Sequence, residues 1–143
     1  MLKRLLVLVL GFAAAAAVFA QVAPTQVIRN DGYGLATWTA LAKNDSGMAA
    51  VTGPWQGIKT AQVIVTTAGE QNLTLQGSMD GTNWVTLHGI ELDSGEYFAL
   101  TGITTSGLFA IIEDPLYVRP LVSNEMGATA VDIDVIIGAM TRN

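Results

Sequence analysis

Beyond residue 32, the chain is a succession of short β-prone segments separated by Gly, Asn, Asp and Pro. The segments recur about every 8–12 residues, a spacing typical of a β-sandwich or barrel, and none keeps a long helical period. The predicted strands are Tyr33–Ala42, Thr60–Ala68, Asn72–Ser78, Asn83–His88, Tyr97–Leu100, Leu108–Glu113, Leu116–Val122 and Ala128–Gly138. Pro120 predicts an edge or bulged strand, because proline lacks the backbone N–H of a sheet ladder. We therefore predict an all-β fold, a single antiparallel β-sandwich (jelly-roll-like or immunoglobulin-like) of about eight strands.

A β-hairpin is the strongest local prediction. Asn72–Ser78 and Asn83–His88 both alternate apolar with polar side chains, the pattern of half-buried strands. Between them, Asp-Gly-Thr-Asn at residues 80–83 predicts a tight connection, since its glycine adopts positive φ without strain. Trp84 follows this connection, and we expect it to be core or half-buried packing.

The first twenty residues have the pattern of a secretory signal peptide. Lys3 and Arg4 precede an apolar run, and Val18-Phe19-Ala20 places small residues at −3 and −1 of a cleavage point before Gln21. An uncleaved N-terminal hydrophobic helix, anchored in a membrane or buried in the fold, is the alternative. The predicted domains are a signal peptide or hydrophobic arm at 1–20, a linker at 21–32 and a β-sandwich at 33–143.

Composition excludes several classes of function. The chain has no Cys and one His, which removes disulfides, Cys-based zinc sites and thiol nucleophiles. Its 12 acidic residues outnumber 7 basic ones, giving a formal net charge of −5. This balance argues against nucleic acid as a partner, since the phosphate backbone is held by Lys and Arg. A membrane would be contacted only through residues 1–20, if they are uncleaved.

Few side chains suggest chemistry. His88 is the sole imidazole base, and no Gly-x-Ser-x-Gly nucleophile elbow accompanies it. Asp132 and Asp134 share a strand face and would suit Ca²⁺ with a loop acid, or simply form a solvated face. Acidic pairs for glycoside hydrolysis are also conceivable, but sequence does not give their separation. We predict no catalytic residue, no cofactor and no metal site.

Aromatic residues are the better candidates for recognition, because Trp and Tyr are enriched in binding hot spots. Those that could build a platform for a sugar or a protein are Trp38, Trp55, Trp84, Tyr33, Tyr97 and Tyr117. Several must fill the core of so small a domain. Trp55 lies in the loop sequence Gly-Pro-Trp-Gln-Gly, and we predict that it is an exposed contact residue.

Three segments resemble the small virion proteins of tailed phages. Residues 75–87 are similar to the Gly-Ser-x-Asp-Gly-Thr-Asn-Trp hairpin of that group. Residues 36–47 resemble its opening strand and turn, and 116–122 resemble its late Tyr-x-Arg-Pro strand. The likeness spans roughly residues 35–138, although a comparable hairpin also occurs in discoidin-like binding domains. The export-type leader departs from the phage group.

The resemblance implies a non-enzymatic head-decoration, minor capsid or fibre-associated protein located in the virion. Its expected partners are capsid or tail proteins in a symmetric assembly, and the expected state is a homo-oligomer. In that role Asp80–Asn83 would shape a loop, and Arg119 would contact a partner or pair with an acid at a strand edge. The alternative is an exported carbohydrate- or cell-surface-binding module, secreted or periplasmic after cleavage at Ala20, that uses Trp55 and Asp45. A third hypothesis is a small secreted hydrolase that uses His88 and the acids, among them Glu91.

Overall fold

Alternation of apolar and polar residues builds two β-sheets around one shared core. The structure is a computed structural model that describes residues 20–30, 33–42, 44–66, 71–124 and 133–140. These residues form thirteen strands: β1 (Ala20–Val22), β2 (Gln26–Asn30), β3 (Tyr33–Leu41), β4 (Asp45–Gly47), β5 (Ala50–Val51), β6 (Lys59–Val65), β7 (Gln71–Ser78), β8 (Val85–Thr86), β9 (His88–Glu91), β10 (Tyr97–Ala99), β11 (Gly107–Ile111), β12 (Tyr117–Asn124) and β13 (Ile133–Met140). The described residues are thus all-β, and their strands outnumber the predicted eight.

The first sheet has six strands in the order β1-β4-β12-β7-β8, with β5 also paired to β12. Its longest ladder joins β7 and β12 through eight antiparallel pairs, from Tyr117–Ser78 to Asn124–Gln71. At one edge β1 pairs with β4 in parallel. This pair departs from the antiparallel sandwich that the sequence predicted.

The second sheet has seven strands in the order β10-β9-β11-β6-β13-β3-β2, and all of its pairs are antiparallel. Strand β2 lies at an edge and pairs with β3 over five residues. Strands β1 and β2 therefore occupy most of the segment predicted as a linker at 21–32. The predicted hydrophobic helix falls on residues 1–19, which lie outside the described residues, and on Ala20, which begins β1.

Side chains from both sheets form the core. It includes Trp38, Leu75, Val118 and Ile137, each fully buried. Burial alternates along β6 and β13, as expected for strands with one face on the core. Trp38 is also fixed at its polar end, because its Nε1 donates a hydrogen bond to the carbonyl oxygen of Met48 at 3.1 Å.

Pro120 lies in an interior strand, so the prediction of an edge strand is wrong. It stands opposite Leu75 in the β7–β12 ladder. The backbone N–H of Leu75 donates to Leu100, and its carbonyl accepts from Leu87, both away from Pro120. On its other side, β4 and β5 pair with β12 at other residues and leave a gap at Pro120. The missing N–H therefore interrupts no ladder hydrogen bond.

The predicted hairpin forms, but its second strand is divided between the sheets. Strand β8 pairs with β7 through only two residue pairs, Gln76–Thr86 and Gly77–Val85. After the buried Leu87 the chain enters β9, which belongs to the second sheet. Asn83–His88 is therefore not one strand. No helix in the described ranges has the length and apolar character needed to cross a membrane.

Candidate functional site

The hairpin connection is organised by one carboxylate. Oδ1 of Asp80 accepts hydrogen bonds from the backbone N–H groups of Thr82 (2.8 Å) and Asn83 (2.7 Å), and from the hydroxyl of Ser78 (2.9 Å). Oδ2 accepts from the side-chain amide of Asn83 at 2.7 Å. Gly81 supplies the left-handed conformation that the turn requires, with φ of 73°. These bonds hold the connection in one conformation, as Asp side chains commonly do in turns.

The same hydrogen bonds also affect the ionisation of Asp80. Hydrogen bonds from the backbone of Asn83 and Thr82, and then from the side chains of Asn83 and Ser78, hold the pKa of Asp80 well below its usual range. Asp80 is consequently a carboxylate at neutral pH. It contributes negative charge to the surface although its oxygens are already engaged within the loop.

Beside this loop, Trp84 and Arg119 form a stacked pair. The guanidinium carbon of Arg119 lies 4.1 Å from the ring centroid of Trp84, and its Nε donates to Oε1 of Gln76 at 2.9 Å. All three side chains are half-buried. We call Gln76, Trp84 and Arg119 the Arg–Trp platform. Burial lowers the pKa of Arg119, which remains a cation at neutral pH.

Sheet register explains why the platform forms. Arg119 of β12 stands opposite Gln76 of β7, which stands opposite Thr86 of β8. Their neighbours Val118 and Leu75 are core residues, so alternation directs the platform to the outer face of the first sheet. The expectation that Arg119 pairs with an acid at a strand edge is wrong, since β12 is interior and Arg119 bonds to Gln76. Its role in contacting a partner stays a prediction.

The opposite side of the hairpin borders an open groove of about 390 Å³. It lies between the hairpin and the loop at residues 113–115, and we call it the hairpin groove. Its lining residues are Gly77, Ser78, Met79, Asp80, Asn83, Val85, Leu87, Glu113, Asp114 and Pro115. Apolar side chains line its floor and carboxylates stand among its polar residues. Sequence reasoning did not identify this groove.

Glu113 holds His88 at the edge of the groove. Its Oε2 accepts from the backbone N–H of His88 at 2.8 Å, and Oε1 is hydrogen-bonded to ring Nδ1 at 2.7 Å. Tyr97 stacks on the imidazole at a centroid distance of 5.7 Å. Burial by itself would raise the pKa of Glu113, but the hydrogen bonds from His88 outweigh it and the pKa is lowered.

Nucleophilic catalysis would need a hydroxyl beside this histidine. Among the described residues, the side-chain hydrogen bonds of His88 include Glu113 and no Ser or Thr. Glu91, the other residue of the hydrolase hypothesis, accepts from the hydroxyl of Ser94 at 2.6 Å. Glu113 therefore orients the imidazole of His88, but no hydroxyl nucleophile accompanies the two among the described hydrogen bonds.

A buried lysine also reaches the groove. The side chain of Lys59, at the start of β6, is only 1% exposed, and its Nζ pairs with Oδ1 of the exposed Asp114. Burial lowers the pKa of Lys59. The side chain of Lys59 is buried along its whole length, and its ammonium group meets the carboxylate of Asp114 at the surface. Sequence reasoning missed this ion pair. The sequence feature that could have indicated it is a single Lys directly before the β-prone segment Thr60–Ala68.

Trp55 is buried, at 4% exposure, so its prediction as an exposed contact residue is wrong. Its indole packs directly on the backbone of Gly34, where a Cβ would lie 2.1 Å from Cδ2 of Trp55. The backbone N–H of Trp55 donates to the carbonyl oxygen of Thr52 at 2.9 Å, and this turn folds the loop inward. Asp45, its partner in the sugar-binding hypothesis, accepts from the backbone N–H of Ala42 at 2.7 Å.

The calcium hypothesis concerned Asp132 and Asp134. Asp132 lies outside the described residues, and Oδ1 of Asp134 accepts from the backbone N–H of Ala40 at 2.8 Å. Ala40 has a positive φ of 54°, beside the register shift between β3 and β13. Asp134 therefore supports this strained residue. The described ranges contain no group of three or more His, Asp or Glu placed to hold a metal ion.

The two-sheet arrangement defines an all-β class of fold that solved structures share. The chain is similar to the SPBc2 prophage-derived protein YomS, with a TM-score of 0.54 and 14% sequence identity. The match covers 80% of this chain and 99% of that one. No protein-family model matches the chain, and neither does any curated protein compared with it. The likeness to YomS establishes a common fold.

Proposed function

We propose that this protein is a non-enzymatic structural protein of a bacteriophage virion, acting through contacts with other proteins. The observation that carries the proposal is the shared fold with a prophage-derived protein, which extends over 99% of that protein. The resemblance of the hairpin sequence to tailed-phage virion proteins supports the same assignment. The proposal includes three kinds of virion protein: a head-decoration protein, a minor capsid protein and a fibre-associated protein.

The Arg–Trp platform is the contact surface that best fits this function. Trp and Arg are the residues most enriched in protein–protein hot spots. The guanidinium of Arg119 is held by the ring of Trp84 and by Gln76, so little side-chain entropy remains to be lost on binding. A fixed guanidinium also presents a planar fork suited to carboxylates. No other Lys or Arg lies between Lys59 and Arg119, so this cation is isolated in its part of the sequence.

Symmetric, multi-copy assembly is part of the proposal. A virion presents the same site many times, and closed symmetry is the usual arrangement of soluble oligomers. Capsid or tail proteins are the expected partners, with contacts between copies of this chain at neighbouring positions. Two observations argue against the carbohydrate-binding alternative: Trp55 is buried, and Asp45 is engaged by the backbone of Ala42.

Quantitative mass spectrometry of purified particles tests the proposal. We expect the protein in many copies per particle, and intact mass will show whether Gln21 is the mature N-terminus. Absence from the particles would refute the proposed function.

Incorporation of variants tests the platform separately. Loss of a hot-spot side chain costs about 2 kcal/mol of binding free energy, which is about thirtyfold in affinity. Arg119→Ala should therefore reduce the number of incorporated copies. Gln62→Ala, on the exposed outer face of the second sheet, serves as the matched control and should incorporate normally. Equal incorporation of both variants would exclude the platform as the contact.

A further inference from the structure

The hairpin groove has an apolar floor that is open to solvent. Val85 and Met79 are each 65% exposed, which is unusual for large apolar side chains next to the buried Leu87. Gly77 leaves space at the floor of the groove because it has no side chain. A Cβ at this position would lie 2.5 Å from Cδ2 of Leu87 and 3.0 Å from Pro115. The volume of about 390 Å³ is within the range of ligand-binding clefts and would admit a long side chain with its neighbours.

The polar groups of the groove offer more acceptors than donors. The hydroxyl of Ser78 and one N–H of the Asn83 amide already donate to Asp80, which leaves the second N–H of Asn83 as the free side-chain donor of the lining. Both oxygens of Glu113 accept from His88. Oδ1 of Asp114 meets Lys59, whereas its Oδ2 has no partner among the described residues. An incoming group that brings its own donors is therefore favoured.

The charges in the groove are complementary to a cation. Asp80, Glu113 and Asp114 bring three carboxylates to one cleft, and the ammonium of Lys59 offsets one of them. The side chain of Asp114 is 82% exposed, so its free oxygen faces solvent. An anionic ligand would be repelled here, and a purely apolar one would leave the charged rim unpaired.

Lys and Arg side chains match both properties. Each carries donors without acceptors, and each has an aliphatic stem that packs on apolar surface while the charged end stays near acceptors. In the groove, such a stem would lie along Val85 and Met79 with its cationic end at Asp114.

We propose that the hairpin groove binds a Lys or Arg side chain presented by an apolar segment of a protein partner. This inference rests on the proposed function for the identity of that partner as another virion protein. The groove and the Arg–Trp platform lie on opposite sides of one hairpin. A partner in the groove and a partner on the platform can therefore be bound at the same time.

Peptide titration monitored by NMR of the full ¹⁵N-labelled chain tests the groove. The probe is the peptide acetyl-Leu-Arg-Leu-amide, and its neutral isostere contains citrulline in place of arginine. We expect amide shifts at the hairpin and at Glu113 and Asp114, and at least threefold weaker binding of the citrulline peptide. Equal affinity of the two peptides, or no shift with either, would overturn the inference.

Two variants locate the interaction. Asp114→Asn removes the exposed carboxylate and Val85→Ser removes exposed floor, and each should weaken the arginine peptide at least threefold. Asp93→Asn, at an exposed acid outside the groove, should leave binding unchanged. If the groove variants bind as well as the native chain, the groove is not the site. Asp114→Asn also removes the partner of Lys59 and could unfold the protein for that reason. In that case Val85→Ser still tests the groove.

The results also separate this inference from the proposed function. Peptide binding by a protein that is absent from particles would support the groove chemistry and refute the virion assignment. Presence in particles without peptide binding would refute the groove alone. Groove amides that shift with protein concentration and without peptide would identify a second copy as the occupant, which contradicts the proposed partner.

Discussion

Trp55 and Trp84 have opposite environments. Trp55 follows a Gly-Pro turn, yet its indole is buried against Gly34. Trp84 follows the Asp80 loop within the hairpin and is half-buried, as predicted, on an outer face under Arg119. The difference shows that the surface opposite a tryptophan decides its exposure: bare glycine backbone admits the indole, whereas a polar strand face leaves it at the surface. One tryptophan stabilises the fold and the other is available for contact.

Truncation of the two tryptophans should give the largest contrast. Trp55→Ala should lower the free energy of unfolding by about 3–5 kcal/mol, as expected for a buried aromatic. Trp84→Ala should cost about 1 kcal/mol, since it loses partial burial and one cation–π contact. Urea unfolding monitored by circular dichroism measures both. Equal losses would show that the two environments do not differ as described.

Gly34→Ala tests the surface beneath Trp55. The new Cβ would overlap the indole, and such overpacking costs about 1–3 kcal/mol. The control is Gly138→Ala on the neighbouring strand, where a Cβ would meet Leu35 at an ordinary 3.5 Å. Thermal unfolding should show a clear decrease for the first variant and little change for the second. A tolerated Gly34→Ala would mean that Trp55 does not lie on this backbone.

We expect the smallest effect on stability from substitution of Asp80, in the loop next to Trp84. The folded pKa lies below the unfolded value, so the carboxylate stabilises the fold at neutral pH and loses this contribution progressively below about pH 4. Asp80→Asn should therefore lower Tm at pH 7, and the difference from the native chain should shrink as the pH falls below 4. Asp93→Asn is the control. A Tm difference that does not change with pH would contradict the role of ionised Asp80.

Sequence alone predicted the features that depend on neighbours along the chain. The alternation in β7 and the Asp-Gly-Thr-Asn connection specify the hairpin locally, and the absence of helical periodicity specifies an all-β class. The division of the second strand after Leu87 was not predictable in this way, because β8 and β9 alternate alike and only their partners differ.

The candidate site was predicted only in part. Arg119 was identified, but its stacking on Trp84 depends on the register of β12, β7 and β8. The groove joins Asp80 to Glu113, residues that only the tertiary fold brings together. The burial of Trp55 likewise depends on Gly34, which no local pattern associates with it.

Site-specific photo-crosslinking in purified particles tests the central claim most directly. Benzoylphenylalanine is placed at Thr86, beside the Arg–Trp platform, or at the exposed Gln62 on the outer face of the second sheet. The account predicts that position 86 crosslinks to another virion protein or another copy of this chain, and that position 62 does not. Crosslinks from position 62 alone, or particles that lack the protein, would contradict it.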